Sequence, residues 1–398
     1  MGAALHRLSI RAVDTLFFRE ARQHASLGAS ELASLFPPPT RTILGAIRTW
    51  LGDALGVDWK AFARGDDAHR QLLGDSDAPG SVTIAALLIH HNRTRLWPCP
   101  ADLLLGGTPG TRTVARLAPG PVVECDLGRI ALPAAPPGTA PGSYVPADAW
   151  LTEEGARRWL AGECPQPDQV LRTEDLLAGE SRLGIARDNA RATVKRGLLY
   201  QVRHLRFRES ATCIEAYVAG LPEGLVPKTG RFTLRLGGEG RMADVAIEPA
   251  QRVPLPSPIV RRQDGQLALW LVSPADTEHG DPASGLAGFT RERGPGSADS
   301  WRGALCGIEL RLVSSCRPRA QREGGWDQKA HRPRAVRSLV PPGTVYFCEV
   351  LGDMGVAEAA SILHGATTGP SGGLGRGRLL AGVVALAPAD QQKASFAG

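Results

Sequence analysis

The sequence lacks the residue patterns on which most metal sites, disulfide frameworks and nucleotide-hydrolysing loops depend. Its seven cysteines are an odd number and include no C-x-x-C pair, which argues against disulfide frameworks and zinc knuckles. No lysine follows a glycine, so there is no Walker A loop, and the nine histidines form no H-E-x-x-H pattern. We therefore expect reduced, mostly packed thiols, no metal and no cofactor.

Long apolar runs are also missing. The longest, Val82–Ile89 and Leu379–Pro388, fall well short of the roughly 20 residues of a membrane span, and the N-terminus shows no charged-then-apolar signal pattern. A hydrophobic fraction of 43% in 398 residues still predicts buried cores, and this length favours two domains. We expect a cytoplasmic protein that has no membrane partner.

Lysine is scarce, whereas arginine is abundant. Only five of the 46 basic residues are lysines, and arginine both binds phosphate in a fork and stacks on bases. A GC-rich genome would produce the same bias, and the net charge of +6 is mild. The distribution of the arginines is therefore more informative than their number.

One short motif occurs twice. G-G-x-G-R is found at 237–241 and again at 372–376, each time before an apolar stretch, which predicts two related units. A loop that is almost free of side chains and ends in a cation suits close approach to a phosphate chain. The motif therefore directs attention to nucleic acid.

The pattern of apolar residues predicts a mixed architecture. A strand at Leu5–Val13, a helix from Thr40 and a hairpin of Val82–His90 with Thr94–Pro98 give a β-α-β-β order. Four prolines within 249–258 predict a domain boundary. We predict an α+β chain with two ferredoxin-like (RRM-like) domains, 1–250 and 251–398.

Two glycine- and proline-rich segments interrupt this scheme. Residues 106–147 are expected to be mainly loop with one short strand near Gly128–Leu132, and 281–300 a second insertion. A modest helix is predicted at Ala147–Leu160 and a further one at Val356–His364.

Basic residues concentrate in two places. Between 182 and 208 eight basic side chains are opposed only by Asp188, a stripe that favours a polyanion. A second cluster, at 317–337, surrounds Gly324-Gly325-Trp326-Asp327, and an aromatic among cations is typical of single-stranded nucleic acid binding. Solvated loops and a core tryptophan would produce the same patterns.

Several segments in order resemble a known family. Asp14–Glu20, Phe36–Arg48, Ser181–Tyr200 and Gly324–Phe347 with the loop at 372–377 are similar to the RAMP proteins of type III-B CRISPR systems that form the third subunit of the Cmr effector complex. The resemblance implies two RAMP domains and a thumb-like projection at about 180–208. It also implies a non-catalytic subunit that binds the 5′ tag of the guide RNA (crRNA), meets target RNA in the complex, and joins the large polymerase/cyclase-like subunit to the backbone RAMP subunits.

This resemblance assigns roles to individual positions, and no catalytic residue is among them. The expected RNA contacts are Arg19, Arg22, Thr40, Arg41 and Arg48 near the tag; Arg182, Arg187, Arg191, Lys195 and Arg196 on the projection; Trp326, Lys329, Arg332 and Arg334 in a loop that orders on RNA; and Gly373, Gly375 and Arg376 in the glycine loop.

Two other functions remain open at this point. Some RAMP relatives cut CRISPR precursor RNA without a metal, and His24 with Arg19 and Arg22, or Tyr200 with Lys195 and His204, would be the candidate groups. A general RNA-binding protein outside CRISPR systems would instead bind scrambled tags as well as the true tag.

Overall fold

The structure, a computed structural model, describes most of the chain. The described residues are 4–19, 31–65, 68–75, 79–108, 111–126, 128–188, 190–191, 193–257, 265–276, 284–293, 298–327, 332–370 and 372–384, with the backbone alone at 31, 186–187 and 195–199.

The first half contains most of the strands. Its strands are β1 (Leu5–Ala12), β2 (Glu31–Leu32), β3 (Thr83–His91), β4 (Thr94–Pro98), β5 (Leu103–Gly106), β6 (Thr113–Arg116), β7 (Ala118–Cys125), β8 (Gly128–Ala134), β9 (Ala149–Thr152), β10 (Val170–Arg172), β11 (Leu177–Asp188), β12 (Thr193–Phe207), β13 (Cys213–Ala219), β14 (Arg231–Arg235) and β15 (Met242–Ala250). Its helices are α1 (Thr40–Ala54), α2 (Trp59–Arg64), α3 (Arg70–Leu73), α4 (Glu153–Leu160) and α5 (Thr173–Leu176), with 3₁₀ turns at Pro167–Gln169 and Glu223–Leu225.

The second half is smaller. Its strands are β16 (Gln266–Leu271), β17 (Thr290–Glu292), β18 (Ser300–Leu305), β19 (Ile308–Cys316), β20 (Gln321–Glu323), β21 (Trp326–Asp327), β22 (Arg332–Pro333), β23 (Arg337–Leu339), β24 (Val345–Val350) and β25 (Leu379–Val384), and its helix is α6 (Val356–Leu363). Strands predominate over helices in both halves.

One eight-stranded sheet forms the first half, in the order β10-β9-β4-β3-β13-β1-β15-β14. His6, Leu8 and Ile10 of β1 are buried, whereas Leu5, Arg7 and Ser9 between them are only partly buried, as the alternation in the sequence predicts. The apolar stripe of α1 covers the sheet, because Ile43, Ile47 and Leu51 recur at helical spacing and are completely buried. The predicted opening strand, helix and hairpin are therefore confirmed.

The two halves share a strand order. The four central strands of the first half run β15-β1-β13-β3, and those of the second run β25-β16-β24-β19, with every neighbouring pair antiparallel. In each half these are the fourth, first, third and second central strand along the chain. The first G-G-x-G-R loop ends directly before β15, and the second ends two residues before β25. The repeated motif therefore lies at corresponding places in the two strand orders.

A long hairpin projects from the first half. β11 and β12 pair from Leu177↔Phe207 to Asp188↔Thr193, and the segment 177–207 includes most of the basic stripe. Leu183, Ile185 and Val194 on this hairpin are exposed. We call β11 and β12 the thumb hairpin.

Residues 106–147 contain more strand than predicted. The strand expected near Gly128–Leu132 is present as β8, but β6 and β7 were not expected, and β7 pairs with β8 with a bulge between Pro119 and Val122. Proline and glycine obscure the strand pattern in the sequence, but they are tolerated at bulges and edges. β8 contacts the second half of the chain, because the Ser314 hydroxyl donates to the carbonyl of Ala131 at 2.7 Å. Part of the second insertion, 281–300, lies outside the described residues.

The two halves share a hydrophobic core. Trp97 and Trp159 of the first half pack with Trp270, Phe347 and Leu380 of the second, and the ring centroids of Trp159 and Trp270 are 5.1 Å apart. All five side chains are essentially removed from solvent. The two units are thus fixed against each other by burial of apolar surface.

Within the described ranges, every helix is too short or too polar to cross a lipid bilayer.

Candidate nucleic-acid interface

Arginines from distant parts of the sequence meet between the two halves. Arg41 is on the first turn of α1, Arg334 follows β22, Arg337 begins β23, and Arg376 ends the second glycine loop. Two buried carboxylates, Asp276 and Glu323, lie among them. We call this group, with Arg48 and Asp327, the junction cluster.

Each carboxylate of the junction cluster lies close to one or two of its arginines. Glu323 accepts from Arg376 and lies 3.5 Å from Nε of Arg41. Asp276 lies 3.3 Å from Arg337 and 3.5 Å from Arg376. The last pair, Arg334 and Asp327, is separated by 3.7 Å.

Within the described part of the chain, five arginines of this cluster face its three carboxylates, and Asp75, which also pairs with Arg70, opposes the charge of Arg48. The pKa of Arg41 is lowered by burial and by the neighbouring charges of Arg334 and Arg376, although Glu323 opposes the effect. Burial also lowers the pKa of Arg48, and Arg41 adds to this decrease. Both guanidiniums are therefore under-neutralised, and a bound anion would stabilise their charged forms.

The start of α1 adds further donors. Pro39 occupies the N-cap position without a side-chain cap, and no acidic residue is present in the first turn. The uncapped N–H groups of a helix start carry partial positive charge, which favours an anion. Thr40 and Arg41 thus lie where a phosphate would be stabilised.

A cleft of about 50 Å³ opens beside this helix start. It is far smaller than the roughly 300 Å³ of a small-molecule pocket, so it cannot enclose a nucleotide. A chain of phosphates and bases would have to lie across its mouth. The cleft is lined by Pro37, Pro38, Pro39, Thr40, Leu87, Leu88, Ile89, Leu96, Pro98, Trp150, Val272, Ser273, Pro274, Gln321, Glu323, Pro342, Gly375 and Arg376.

The second glycine loop forms a joint between the halves. The carbonyl of Gly373 accepts from the backbone N–H of Ile84 at 2.8 Å, and Leu374 is buried in the core of the first half. A Cβ at Gly375 would lie 2.9 Å from the carbonyl oxygen of Ala85, so only glycine permits this approach. Arg376 is only 5% exposed.

The sequence therefore gave an incomplete account of this loop. The RNA contact predicted for Gly373, Gly375 and Arg376 stays a prediction, but in the chain alone these residues hold the halves together. The exposed cation that the motif suggested is absent, because the Arg376 guanidinium is engaged by Glu323 and Asp276.

An exposed tryptophan lies near the junction cluster. Trp326 is 53% exposed and pairs with Pro333 in the short ladder of β21 and β22, where Asp327 pairs with the exposed Arg332. The N–H of Arg334 donates to Gly325 at 2.9 Å. An accessible indole between cations is suited to stacking on a base. Lys329 lies outside the described residues.

The thumb hairpin has a network of opposite charges at its base, in which two carboxylates contact three arginines. Asp14 lies 2.6 Å from Arg206, 3.1 Å from Arg182 and 3.6 Å from Arg241, and Glu180 contacts Arg182 and Arg206. Hydrogen bonds from Arg206 and Arg182 lower the pKa of Asp14 to about 2. Arg182 thus orients the hairpin as well as adding positive charge.

The remaining predicted residues are more dispersed. Arg191 is exposed at the turn of the hairpin, where its N–H donates to the Asp188 carboxylate at 3.3 Å. Arg19 is exposed and bridges to Ser34 through its backbone. The side chains of Arg187, Lys195 and Arg196 and the whole of Arg22 and His24 lie outside the described residues.

Sequence reasoning missed the acidic members of these groups. Glu323 and Asp276 set the positions of the junction arginines, and Asp14 sets those at the thumb base. Glu323 could have been noticed as a lone glutamate within the basic segment 317–337. Asp276 could not, because nothing in the sequence relates it to Arg376, one hundred residues further on.

One of the two histidines considered for RNA cleavage, His204, is buried. His204 is 1% exposed, stacks on Phe17 at 5.4 Å, and shares a 3.0 Å hydrogen bond between Nδ1 and the Thr15 hydroxyl. Burial, with Arg182 and Arg241 nearby, lowers its pKa. The ring is thus neutral at physiological pH and turned away from solvent.

Tyr200 lies nearby, with its hydroxyl 3.5 Å from Glu239, and burial raises the pKa of this phenol. No group of three or more His, Cys, Asp or Glu side chains in the described part of the chain could hold a metal ion.

Comparison with known proteins supports the resemblance noted above. The model of the family described as CRISPR-associated protein (Cas_Cmr3) matches residues 8–383. No curated protein sequence matches the chain.

Among solved structures, two chains of a type III-B Cmr-beta complex bound to cognate target RNA, one of them also with AMPPnP, are 14% identical to this chain. Each alignment covers 86% of both chains, with TM-scores of 0.42 and 0.44. A chain of a type III-A Csm3-Csm4 subcomplex is 10% identical over 87% of this chain and 94% of that one, with a TM-score of 0.35. These similarities are too low to carry a functional argument, whereas the family match spans nearly the whole sequence. The protein belongs to the CRISPR-associated Cmr3 family and is a subunit of a type III-B Cmr effector.

Proposed function

We propose that the chain is a non-catalytic RNA-binding subunit that holds the 5′ repeat-derived tag of the crRNA across the junction cluster. In the assembled complex it joins the large polymerase/cyclase-like subunit to the backbone RAMP subunits and meets target RNA through the thumb hairpin. The two halves are ferredoxin-like RAMP units. In the first half, helix α1 follows the first central strand, and in the second half, helix α6 precedes the fourth central strand.

The observation that carries this proposal is the excess of positive charge around Arg41. Arg41 and Arg48 are half-buried and have arginine neighbours, so their charge is incompletely balanced within the chain. Binding of phosphates removes this repulsion and releases counterions, which is the main source of affinity for a nucleic acid backbone. The uncapped start of α1 adds directed donors at the same place.

Bases are read beside this backbone site. The indole of Trp326 is exposed, and single-stranded RNA is recognised mainly by stacking of splayed bases on aromatic rings and by contacts to their edges. The cleft beside α1 is too small for a whole base, so discrimination between bases depends on groups at its rim. We therefore expect the affinity to be mainly electrostatic and the tag sequence to add a smaller part.

Binding of a fluorescent tag RNA at several salt concentrations tests this proposal. Arg41→Gln removes one member of the cluster, while Glu323 keeps its contact with Arg376. Arg311→Gln is the matched control, because Arg311 has similar exposure and also contacts a glutamate, Glu349, at 3.0 Å.

We expect Arg41→Gln to weaken binding and to reduce the slope of log K against log salt by about 0.7 per lost phosphate contact. Arg311→Gln is expected to leave both unchanged. Equal slopes in the two variants would contradict a role of the cluster, and equal affinity for a scrambled tag would indicate general RNA binding.

The competing function, metal-independent cleavage of CRISPR precursor RNA, is tested separately. Repeat RNA incubated with the protein in a chelator is expected to remain intact, because the ring of His204 is buried and cannot reach a substrate. Site-specific cleavage that disappears in His24→Ala or in His204→Ala would replace the binding role by an enzymatic one.

A further inference from the structure

One glycine in the middle of α1 has no structural role among the described residues. Gly45 lies inside the helix, so its backbone has the ordinary right-handed conformation that every residue can adopt. Glycine in a helix interior is less favourable than alanine, because it loses more backbone entropy on folding. A glycine at such a position therefore calls for a compensating role.

Gly52, the other glycine of α1, has a role of this kind within the chain. A Cβ at Gly52 would lie 2.4 Å from the ring of Trp59, which packs on the helix at this point. Gly52 is buried, and the absence of a side chain makes room for the indole. Packing inside the protein thus accounts for this glycine.

Gly45 differs from Gly52 in both respects. It is exposed, and a Cβ at this position would meet no atom of the described residues within 4 Å. Neither packing nor backbone conformation accounts for it, and the helix backbone is left bare toward solvent. A bare backbone lets a ligand approach the helix more closely than any side chain would allow.

The side chains around Gly45 suit a nucleic acid. Residues three and four positions away are its neighbours on the helix surface, and these are Arg41, Thr42, Arg48 and Thr49. Arg41 lowers the pKa of Arg48, so the two guanidiniums repel each other. Nε of Arg48 is shielded from solvent and has no hydrogen-bond partner in the described part of the chain. Phosphates beside this pair would relieve the repulsion.

A hydroxyl lies on the other side of the bare backbone. The Thr49 hydroxyl donates to the carbonyl of Gly45 at 2.9 Å, and a hydroxyl oxygen that donates its proton still has lone pairs that accept. Ribose offers a matching donor, its 2′-OH, which deoxyribose lacks. Cations on one side of Gly45 and an acceptor on the other therefore match the two parts of an RNA backbone.

We infer that one ribose of the crRNA tag lies directly against the backbone of α1 at Gly45. The phosphates on either side of this ribose meet Arg41 and Arg48, and its 2′-OH donates to Thr49. This inference rests on the proposed function. Arg41 and Arg48 lie about 10 Å apart along the helix axis, so their long side chains reach phosphates on both sides of one sugar. Gly45 is thus a positioning residue, because a side chain there would hold the strand away from both guanidiniums.

Gly45→Ala in the full chain separates this role from a purely structural one. Alanine is the better helix former, so we expect the thermal midpoint of unfolding to rise by about 1 °C. The affinity for a fluorescent tag RNA is expected to fall about threefold, and by more than about tenfold in Gly45→Gln. The slope of log K against log salt should not change, because no charge is lost.

Ser361 provides the matched control, because it is an exposed small residue inside another helix, α6. Ser361→Ala and Ser361→Gln should leave the affinity for tag RNA unchanged. The 2′-OH is tested with tags that carry a single deoxyribose at each position in turn. One position should weaken binding to the wild-type protein, and the same tag should show no such loss with Thr49→Val.

Three results would overturn the inference. A lower thermal midpoint in Gly45→Ala would assign the glycine to a contact within the chain, and normal affinity of Gly45→Gln would show that no strand crosses the helix here. Equal effects of deoxyribose in wild type and Thr49→Val would remove the 2′-OH from this hydroxyl. If the Gly45 variants bind normally while Arg41→Gln still flattens the salt slope, the proposed function stands. Absence of tag binding by the wild-type protein would contradict both.

Discussion

Replacement of Arg116 by methionine is expected to destabilise the protein strongly, because Arg116 compensates a carboxylate that has no access to solvent. Asp102 is fully buried, and Nε of Arg116 lies 2.7 Å from its Oδ2. The indole N–H of Trp159 also donates to Asp102, at 2.8 Å. Arg116 further donates to the carbonyls of Trp159 and Val383, at 2.9 and 3.2 Å, so one guanidinium joins the 106–147 segment, α4 and β25.

Removal of one partner of a buried ion pair typically costs about 3–5 kcal/mol, since the other charge is left uncompensated. Urea unfolding at neutral pH measures the loss. Arg112→Met, on an exposed position of the same segment, is the control and should change the free energy of unfolding by less than about 0.5 kcal/mol. Combining Arg116→Met with Asp102→Asn removes the buried charge and should recover part of the loss.

The dependence on pH provides a stricter test. Burial raises the pKa of Asp102 above its usual 3.8 although Arg116 opposes it, and loss of Arg116 must raise it further. A group whose pKa is raised on folding contributes most stability below its unfolded pKa and loses that contribution as the pH rises through the folded pKa. The cost of Arg116→Met should therefore shrink as the pH falls toward 3.8. A cost below about 1 kcal/mol, or one independent of pH, would refute the reasoning.

Two further predictions concern the glycine joint and the thumb base. Gly375→Ala should lower the thermal midpoint of unfolding more than Gly372→Ala. Both glycines have positive φ, but only at position 375 would the added Cβ meet the Ala85 carbonyl. Equal losses would show that backbone strain alone determines the change in midpoint. The carboxyl ¹³C signal of Asp14 should titrate near pH 2 and move upward in Arg206→Gln. Because this pKa is depressed, ionised Asp14 contributes stability above pH 3.8 that is lost as the pH falls through about 2. A wild-type titration midpoint near pH 3.8 would contradict the hydrogen bonds at the thumb base.

Local patterns in the sequence correctly predicted those strands and helices whose limits depend on neighbouring residues in the chain. The opening strand ends at Ala12, the helix begins at Thr40, and the hairpin turns between His91 and Thr94, close to the predicted limits. The helix predicted at 147–160 was wrong in its first part. Residues 149–152 form β9, and the Thr152 side chain accepts from the N–H of Gly155, so the helix starts only after this cap.

Contacts between distant residues could not be predicted in the same way. The sequence shows that 317–337 is rich in arginine, but not that Arg334 and Arg337 meet Arg41 while Arg317 lies beside Gly285. Which residues each arginine meets depends on how the two halves pack against each other. This packing is determined by apolar side chains far from either basic cluster of the sequence. Composition therefore located the positive charge along the chain without locating it in space.

The two glycine loops show how one motif can serve two purposes. Both were predicted to approach phosphate, since the residues of the motif are the same. In the second loop the third position is Leu374, which is buried in the first half, and the guanidinium that follows is buried with two carboxylates. In the first loop that position is Glu239, and the loop stays exposed. The first loop still contacts its own half, since the N–H of Gly238 donates to the Phe17 carbonyl at 2.8 Å. The variable residue thus accounts for the difference in burial at the third position, because the apolar side chain gains from burial whereas the charged one would have to be desolvated.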